Sequence, residues 1–333
     1  LPTQIETIKV LPISSKQKEP ESGNIEQFWK LELLGISESS QEKEDEVAVQ
    51  HFQKTIKREK KRYSVGWPWR YRGFRLPSNF GVCFGRLIST VWKLGTQPPL
   101  LERYNEILKE QIESEITEEV KDIRKSEGPV HYLPHHAVIT PMKQTKIRMV
   151  FDASVKTSGS KSLNDLLRRG PVLLNDLTGI LLRFRLMNIA ITCDIEKAYH
   201  QLVFNREDRD VIRFLWLRDY RQLIERSNLV VYRFQRAPFG IASPFLLVAV
   251  IKFHLRNMPS AVAKRVEENF YVDNVVAEAD SIEEAIKLYE EIKDIFSKAH
   301  MNIREFASNS AEFNEFLSKE DQQSTQQMKV LGI

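Results

Sequence analysis

The strongest constraint in this sequence is the order of elements in its C-terminal half. Residues 187–195 (M-N-I-A-I-T-C-D-I) form an apolar run of strand length, read as a buried strand. Residues 243–258 have helical length and spacing, and two short apolar runs, 269–273 and 275–279, meet at Asp273-Asn274. Residues 281–300 are amphipathic, with Ile282, Ile286, Tyr289, Ile292 and Phe296 on one face and a capping box expected from Ser281 and Glu284. Residues 301–306 return as a strand. With 203–237 set aside as an insertion, the order is β-α-β-β-α-β, an α+β fold of the split-βαβ or ferredoxin-like kind, in which four antiparallel strands carry two helices on one face. Such a fold does not fix a function, which has to be argued from particular residues.

The rest of the chain frames that unit. Its 333 residues suffice for about two domains. With 42% hydrophobic and 28% charged residues the chain is globular rather than disordered. Its best apolar run, 241–251, is half of the roughly 20 residues a membrane span needs and contains Ser243 and Pro244, so no bilayer crossing is expected. The net charge of +4 names no partner. Two cysteines, Cys83 and Cys193, make no secreted disulfide framework and fit a reducing compartment. The opening Leu1-Pro2-Thr3, without Met or leader, reads as a piece cut from a longer protein. The first 50 residues are polar and acidic around an apolar patch at 28–36, and 37–46 reads as a solvated linker. Leu101, Tyr104, Leu108, Ile112, Ile116, Val120 and Ile123 predict a helix over 100–125, closed by Glu127-Gly128-Pro129. A domain boundary is therefore expected near Ser126, with a mostly helical region, partly linker, over 1–125 and a second domain over 126–333.

Between His51 and Arg75 stand nine Lys and Arg against the single acid Glu59, with Tyr63, Trp67, Trp69, Tyr71 and Phe74 interleaved. Cations beside aromatics suit a phosphate backbone whose bases stack on rings. The competing account is a basic helix followed by a loop whose tryptophans plug a core.

The chemistry-bearing residues sit at strand ends. In the ferredoxin-like order the first and third strands are neighbours, which brings Asp194 beside the hairpin tip at Asp273-Asn274. Two carboxylates there, with the Ile195 carbonyl between them, can hold Mg²⁺ and leave positions for phosphates and water, as two-metal phosphoryl transfer requires. Each has a plainer account: Asp194 as the cap of a helical turn at 196–202, and Asp273-Asn274 as the two central residues of a type I′ turn. His131, His135 and His136 cluster but have no matching cysteine pair, which argues against zinc. Cys193 reads as a buried strand residue.

Over most of its length the sequence resembles reverse transcriptases of the BEL/Pao class of long-terminal-repeat retrotransposons. His131-Tyr132-Leu133-Pro134-His135-His136-Ala137-Val138, Thr145-Lys146-Ile147-Arg148-Met149-Val150-Phe151-Asp152-Ala153-Ser154, Ser162-Leu163-Asn164-Asp165-Leu166-Leu167 and Gly170-Pro171 resemble that class's fingers. Asp194-Ile195-Glu196-Lys197-Ala198-Tyr199 resembles its first catalytic motif, Ala237-Pro238-Phe239-Gly240 its template grip, and Phe270-Tyr271-Val272-Asp273-Asn274 its second catalytic motif. Upstream, the 28–36 patch, Trp67-Pro68-Trp69 and Leu76-Pro77 resemble the segment joining protease to polymerase.

The resemblance implies right-hand polymerase fingers and palm at 126–333, ending before the thumb, with Lys329-Val330-Leu331-Gly332-Ile333 as the start of a primer-grip hairpin. It implies that Asp194 and Asp273 ligate Mg²⁺ or Mn²⁺, assisted by the Ile195 carbonyl. Tyr199 becomes the steric gate against a ribose 2′-OH, and its plainer account is a core tyrosine. Arg148 contacts the incoming triphosphate, with Lys143 and Lys146 as further candidates against an account as solvated strand-edge lysines. Phe239 and Gly240 lie under the templating base and nucleotide, Gly allowing close backbone approach. Implied partners are an RNA or DNA template with its primer, deoxynucleoside triphosphates, and flanking protease, ribonuclease H and integrase domains of a polyprotein in cytoplasmic particles. Two positions depart from the class: Asn274 stands where a second aspartate is common, and Glu305 where a lysine is usual. The alternative is a decayed or domesticated element that at most binds nucleic acid.

Overall fold

A computed structural model describes residues 40–323, apart from 60, 72, 74–75, 127, 140–146 and 242. The chain divides into two units, 1–43 and 44–333. The apolar patch at 28–36 and the expected hairpin start at 329–333 lie outside the described residues.

From Ser40 on, the segment read as a linker is helical. Helix α1 (Ser40–Thr55) has Glu42 in its first turn and Lys54 in its last, both favourable to the helix dipole, and buries Ala48 and Phe52. Its polar composition marks a solvated face rather than an absence of structure. Strands β1 (Lys57–Glu59) and β2 (Arg62–Val65) pair antiparallel after it. Helices α2 (Phe80–Gly95) and α3 (Pro98–Glu113) follow, the latter opening on Pro98, whose fixed φ suits a first helical turn.

The helix expected over 100–125 therefore ends early. Glu115 takes a φ of 54°, outside the helical region, and β3 (Thr117–Glu119) leaves to pair with a strand over a hundred residues on. Leu101, Tyr104, Leu108, Ile116 and Val120 are buried as the spacing predicts, but Ile112 is 37% and Ile123 54% exposed. A distant strand partner that supplies backbone hydrogen bonds leaves no trace in local periodicity. Strands β4 (His135–Ile139) and β5 (Ile147–Phe151) form a hairpin with Ile139 opposite Ile147. His135 lies in the core: Tyr104 shares a 2.6 Å hydrogen bond with its Nδ1, and its Nε2 lies 2.8 Å from the Leu215 carbonyl. Both ring nitrogens are thus engaged within the protein. The short helix α4 (Leu163–Leu166) carries a capping box between Ser162 and Asp165, and α5 (Leu177–Leu186) is capped by Asp176.

From β6 (Ile189–Ile195) onward the expected order emerges. The stretch 203–237 forms β7 (Val203–Phe204), β8 (Arg213–Leu217) and β9 (Leu229–Phe234). Then come α6 (Phe245–Arg256), an unforeseen α7 (Ala261–Glu268), β10 (Phe270–Tyr271), β11 (Asn274–Ala279), α8 (Ile282–Lys298), β12 (Ile303–Ser308) and α9 (Ala311–Phe316). One sheet has the order β10-β11-β6-β12 with every neighbouring pair antiparallel, the ferredoxin-like order with its first and third strands at the centre. Helix α6 buries Leu246, Leu247, Val250 and Ile251, and α8 buries Leu288, Ile292, Ile295 and Phe296, so an apolar core lies under the sheet. At the start of α8 the Ser281 hydroxyl accepts from the Glu284 N–H as expected, but the Glu284 carboxylate turns to the N–H of Asp280, one residue earlier than a capping box requires.

The inserted stretch builds a second sheet, β3-β9-β8, and β7 runs parallel to β2 with Ser64 opposite Val203. Elements from both sides of Ser126 therefore share sheets, and 44–333 is one compact unit. Among the described residues no helix is long and apolar enough to cross a membrane.

Candidate active site

Sheet register brings the two distant acids together. Asn274 on β11 pairs with Asp194 on β6, and the Ile195 N–H donates to the Asp273 carbonyl at 2.9 Å. Arg304 on β12 flanks Asp194 from the other side. The turn sits one residue earlier than expected: Tyr271 pairs with Asn274, leaving Val272 and Asp273 as its central residues. Val272 has a φ of 58°, a strained conformation for a β-branched residue, while Asp273 has no positive φ. Type I′ needs positive φ at both positions, so that assignment is corrected. Asn274 is consequently a strand residue on the same face as Asp194, and Asp273 occupies the tip.

Electrostatics show the Asp273 charge acting on Asp194. Burial, then the Asp273 carboxylate, then Glu305 push the Asp194 carboxyl up to about 7, with Glu196 adding to the rise and Arg304 opposing it. Burial also raises Asp273, against hydrogen bonds from its own backbone and from the Asn274 amide, which donates to Asp273 Oδ1 at 2.8 Å. Among the described residues no donor reaches the Asp194 carboxyl. Its reading as a helix cap is excluded, because the 3₁₀ turn Ala198–Gln201 starts at Lys197 without a side-chain cap. Cys193 is buried and its thiol is pushed well up by that burial.

Of the further predicted residues, Tyr199 lies beside the pair and Phe239 packs on Tyr199. Burial, then the Asp273 charge, raises the Tyr199 phenol, whose ring meets Phe239 at a centroid distance of 5.4 Å. Phe239 also lies edge-on to His200 at 4.9 Å and is 53% exposed. Gly240 has a φ of 95°, and a Cβ there would stand 2.8 Å from the Phe151 carbonyl oxygen. Its close approach is thus to the end of β5 in its own chain. Arg148 is exposed on β5 opposite Val138 and is not among the charges acting on either carboxyl. Lys143 and Lys146 lie outside the described residues.

Sequence reasoning treated Glu305 only as a departure, whereas the fold makes it part of the site. Glu305 has a φ of 52° and lies where the β12 register shifts, between Arg304 and Ala307. That bulge brings its charge to bear on Asp194, while Arg304 pairs with Glu196 at 3.4 Å. Nothing in the sequence pattern marks the bulge.

Among the described residues no group of three or more His, Cys, Asp or Glu side chains is placed to hold a metal. The site offers instead two carboxylates, an adjoining peptide carbonyl and open positions, a donor set that suits a hard cation such as Mg²⁺, which keeps several waters. The unpartnered, like-charged Asp194 is the feature such a cation would relieve.

No protein-family model matches the chain, and no curated protein does. Solved structures of the foamy viral protease-reverse transcriptase are similar to it. The complex with dsDNA shares 15% identity over 88% of this chain and 52% of that one, with a TM-score of 0.47. The complex with an RNA/DNA hybrid shares 15% over 87% and 33%, with a TM-score of 0.45. The dRH form with ds DNA shares 14% over 89% and 44%, with a TM-score of 0.44. The chain thus spans about half or less of those chains' lengths. At this degree of likeness the fold class rests on the sheet order itself, an α+β ferredoxin-like sheet with a β-hairpin and helices before it.

Proposed function

We propose that the chain is the fingers and palm of an RNA-directed DNA polymerase of the BEL/Pao type, joining a primer 3′-OH to a deoxynucleoside triphosphate on a nucleic-acid template. The observation that carries this reading is the meeting of Asp194 and Asp273 at adjacent strand ends, close enough for one charge to raise the other's pKa. Asp194, Asp273 and the Ile195 carbonyl would hold Mg²⁺ or Mn²⁺. A metal held there would supply Lewis-acid activation of the attacking hydroxyl and charge stabilisation for the leaving pyrophosphate. The strained Val272 turn places Asp273 at the tip, and the Ile195 N–H, donating to the Asp273 carbonyl, ties that residue's backbone to β6. Tyr199, held between Phe239 and the Asp273 charge, would present its ring where a sugar must lie beside the acids, so a 2′-OH would collide with it. Arg148 would reach the triphosphate from the β4–β5 hairpin, with Lys146 a further candidate on sequence alone, and Phe239 with Gly240 would support the template.

The Asn274 amide favours a second reading, a decayed element that only binds nucleic acid, because it removes one negative charge and spends a donor on Asp273. Primer extension on oligo(dT)-primed poly(rA), with Mg²⁺ or Mn²⁺, separates the two. Under the polymerase reading the wild type incorporates labelled dTTP, Asp194→Asn abolishes incorporation and Asn274→Asp raises it. Incorporation that survives Asp194→Asn, or none by the wild type and Asn274→Asp alike, contradicts catalysis at this site.

A further inference from the structure

The basic and aromatic residues of 51–75 part company in the fold. Tyr63 and Trp67 are buried, and Trp67 stacks on Phe204 with ring centroids 3.7 Å apart, so these rings plug a core and offer no face to an unpaired base. Arg62 goes elsewhere. With Arg236, Lys197, His200 and His300 it lines a cleft of about 490 Å³ beyond the end of β6. A neighbouring cavity of about 380 Å³ shares Arg62, Arg236 and His300 and adds Lys61 and Arg209.

The two arginines at the junction have only neutral partners. Arg62 Nη1 donates to Gln201 Oε1 at 2.5 Å and to the His300 carbonyl at 3.0 Å. Arg236 donates to the carbonyls of Ser114 at 2.7 Å and His200 at 3.4 Å. Among the described residues no carboxylate forms an ion pair with either. Three acids also line these cavities, Glu196 the first and Glu59 and Glu115 the second; Glu196 is engaged by Arg304 and by the Asn302 amide, Glu59 accepts from Ser64, and Glu115 acts on both guanidiniums only at a distance. Burial and then the Arg236 charge pull Arg62 down to about 10, which leaves it charged at neutral pH. Two like charges held in a partly buried cleft raise the energy of the fold unless an anion joins them. No Phe, Tyr or Trp lines either cavity, so recognition there falls on phosphate oxygens rather than on bases.

We propose that this cleft is a binding site for a ligand carrying two or more linked phosphate groups, gripped by the forked guanidiniums of Arg62 and Arg236 with Lys197 at the rim. Neither Asp194 nor Asp273 lines it, and the proposal does not depend on the polymerase reading. Linked phosphates come either as a free polyphosphate or as a nucleic-acid backbone, and the site's chemistry is common to both.

Calorimetric titration of the 333-residue chain in EDTA, with inorganic pyrophosphate in one arm and the oligonucleotide dT12 in the other, tests it without catalysis or metal. Pyrophosphate should bind the wild type, and Arg62→Gln and Arg236→Gln should each weaken it roughly tenfold or more, as loss of a charge-assisted hydrogen bond does. Arg236→Lys should retain part of the affinity. Lys197→Gln, whose exposed side chain holds nothing else in place among the described residues, should lower it severalfold, and Lys264→Gln, on an exposed face of α7, should leave it unchanged. Binding of dT12 with the same sensitivity identifies a nucleic-acid backbone as the ligand, and binding of pyrophosphate alone identifies a free polyphosphate. The proposal is overturned if pyrophosphate does not bind, or if its affinity is the same in Lys197→Gln and in Arg236→Gln proteins whose circular dichroism matches the wild type. A failure here leaves the polymerase reading standing, since that is judged by incorporation.

Discussion

Replacing Asp194 by Asn should stabilise the metal-free protein, by a gain that builds from about pH 4 and levels off above pH 7. The carboxyl's ordinary pKa of 3.8 is its value in the unfolded chain, and in the fold it rises to about 7. A group raised in this way favours the fold while protonated and loses that contribution as pH rises through the folded value. Below about pH 4 the carboxyl is neutral in both states, and Asn, its neutral isostere, should change little. Above pH 7 the folded state bears a carboxylate beside Asp273 and Glu305, and Asn removes that repulsion. At about 1.4 kcal/mol per pKa unit, the span from 3.8 to about 7 sets a ceiling of roughly 4 kcal/mol. The side chain is only half-buried, so solvent screening brings the expected gain to about 1–2 kcal/mol. Urea denaturation of both proteins in EDTA at pH 4 and pH 8 measures it. Equal stability at pH 8, or a less stable variant there, would refute the argument that the two acids crowd one site.

Other perturbations have equally definite outcomes. Asp210 is 1% exposed and accepts from Arg213 Nε and Arg233 Nη1, each at 2.9 Å; Asp210→Ala leaves the fully buried Arg213 uncompensated and should cost about 3–5 kcal/mol in chemical denaturation. Gly240→Ala places a Cβ against the Phe151 carbonyl at a φ of 95° and should lower stability by about 1–3 kcal/mol, measured the same way. Tyr199→Ala removes the ring beside Asp273 and should raise ribonucleotide incorporation relative to deoxyribonucleotide in primer extension, whereas unchanged selectivity would place the gate elsewhere.

What the sequence revealed and what it concealed divide along physical lines. The pairing of Asp194 with the hairpin was legible because a ferredoxin-like order makes its first and third strands neighbours, and each strand shows as an apolar run. The turn at Val272-Asp273 was not, because a β-branched residue at positive φ is what local preference argues against; tertiary packing carries the strain. The end of α3 was hidden for a related reason, since β3 is held by β9 and its partner lies far along the chain. Charge composition misled at α1, where acidic and basic residues at helix-favouring positions resemble a linker. The cleft around Arg62 and Arg236 was beyond sequence reading altogether, because its residues come from β2, β6's extension, β9's extension and the end of α8, and only the fold brings them together.

The central claim is that Asp194 and Asp273 act as one site for a divalent cation. Calorimetric titration of Mn²⁺ into the wild type, Asp194→Asn and Asp273→Asn tests it directly. The account predicts binding to the wild type that releases protons near pH 7, where Asp194 titrates, and loss of that binding in each single variant. Undiminished Mn²⁺ affinity in either variant, or none in the wild type, would contradict it.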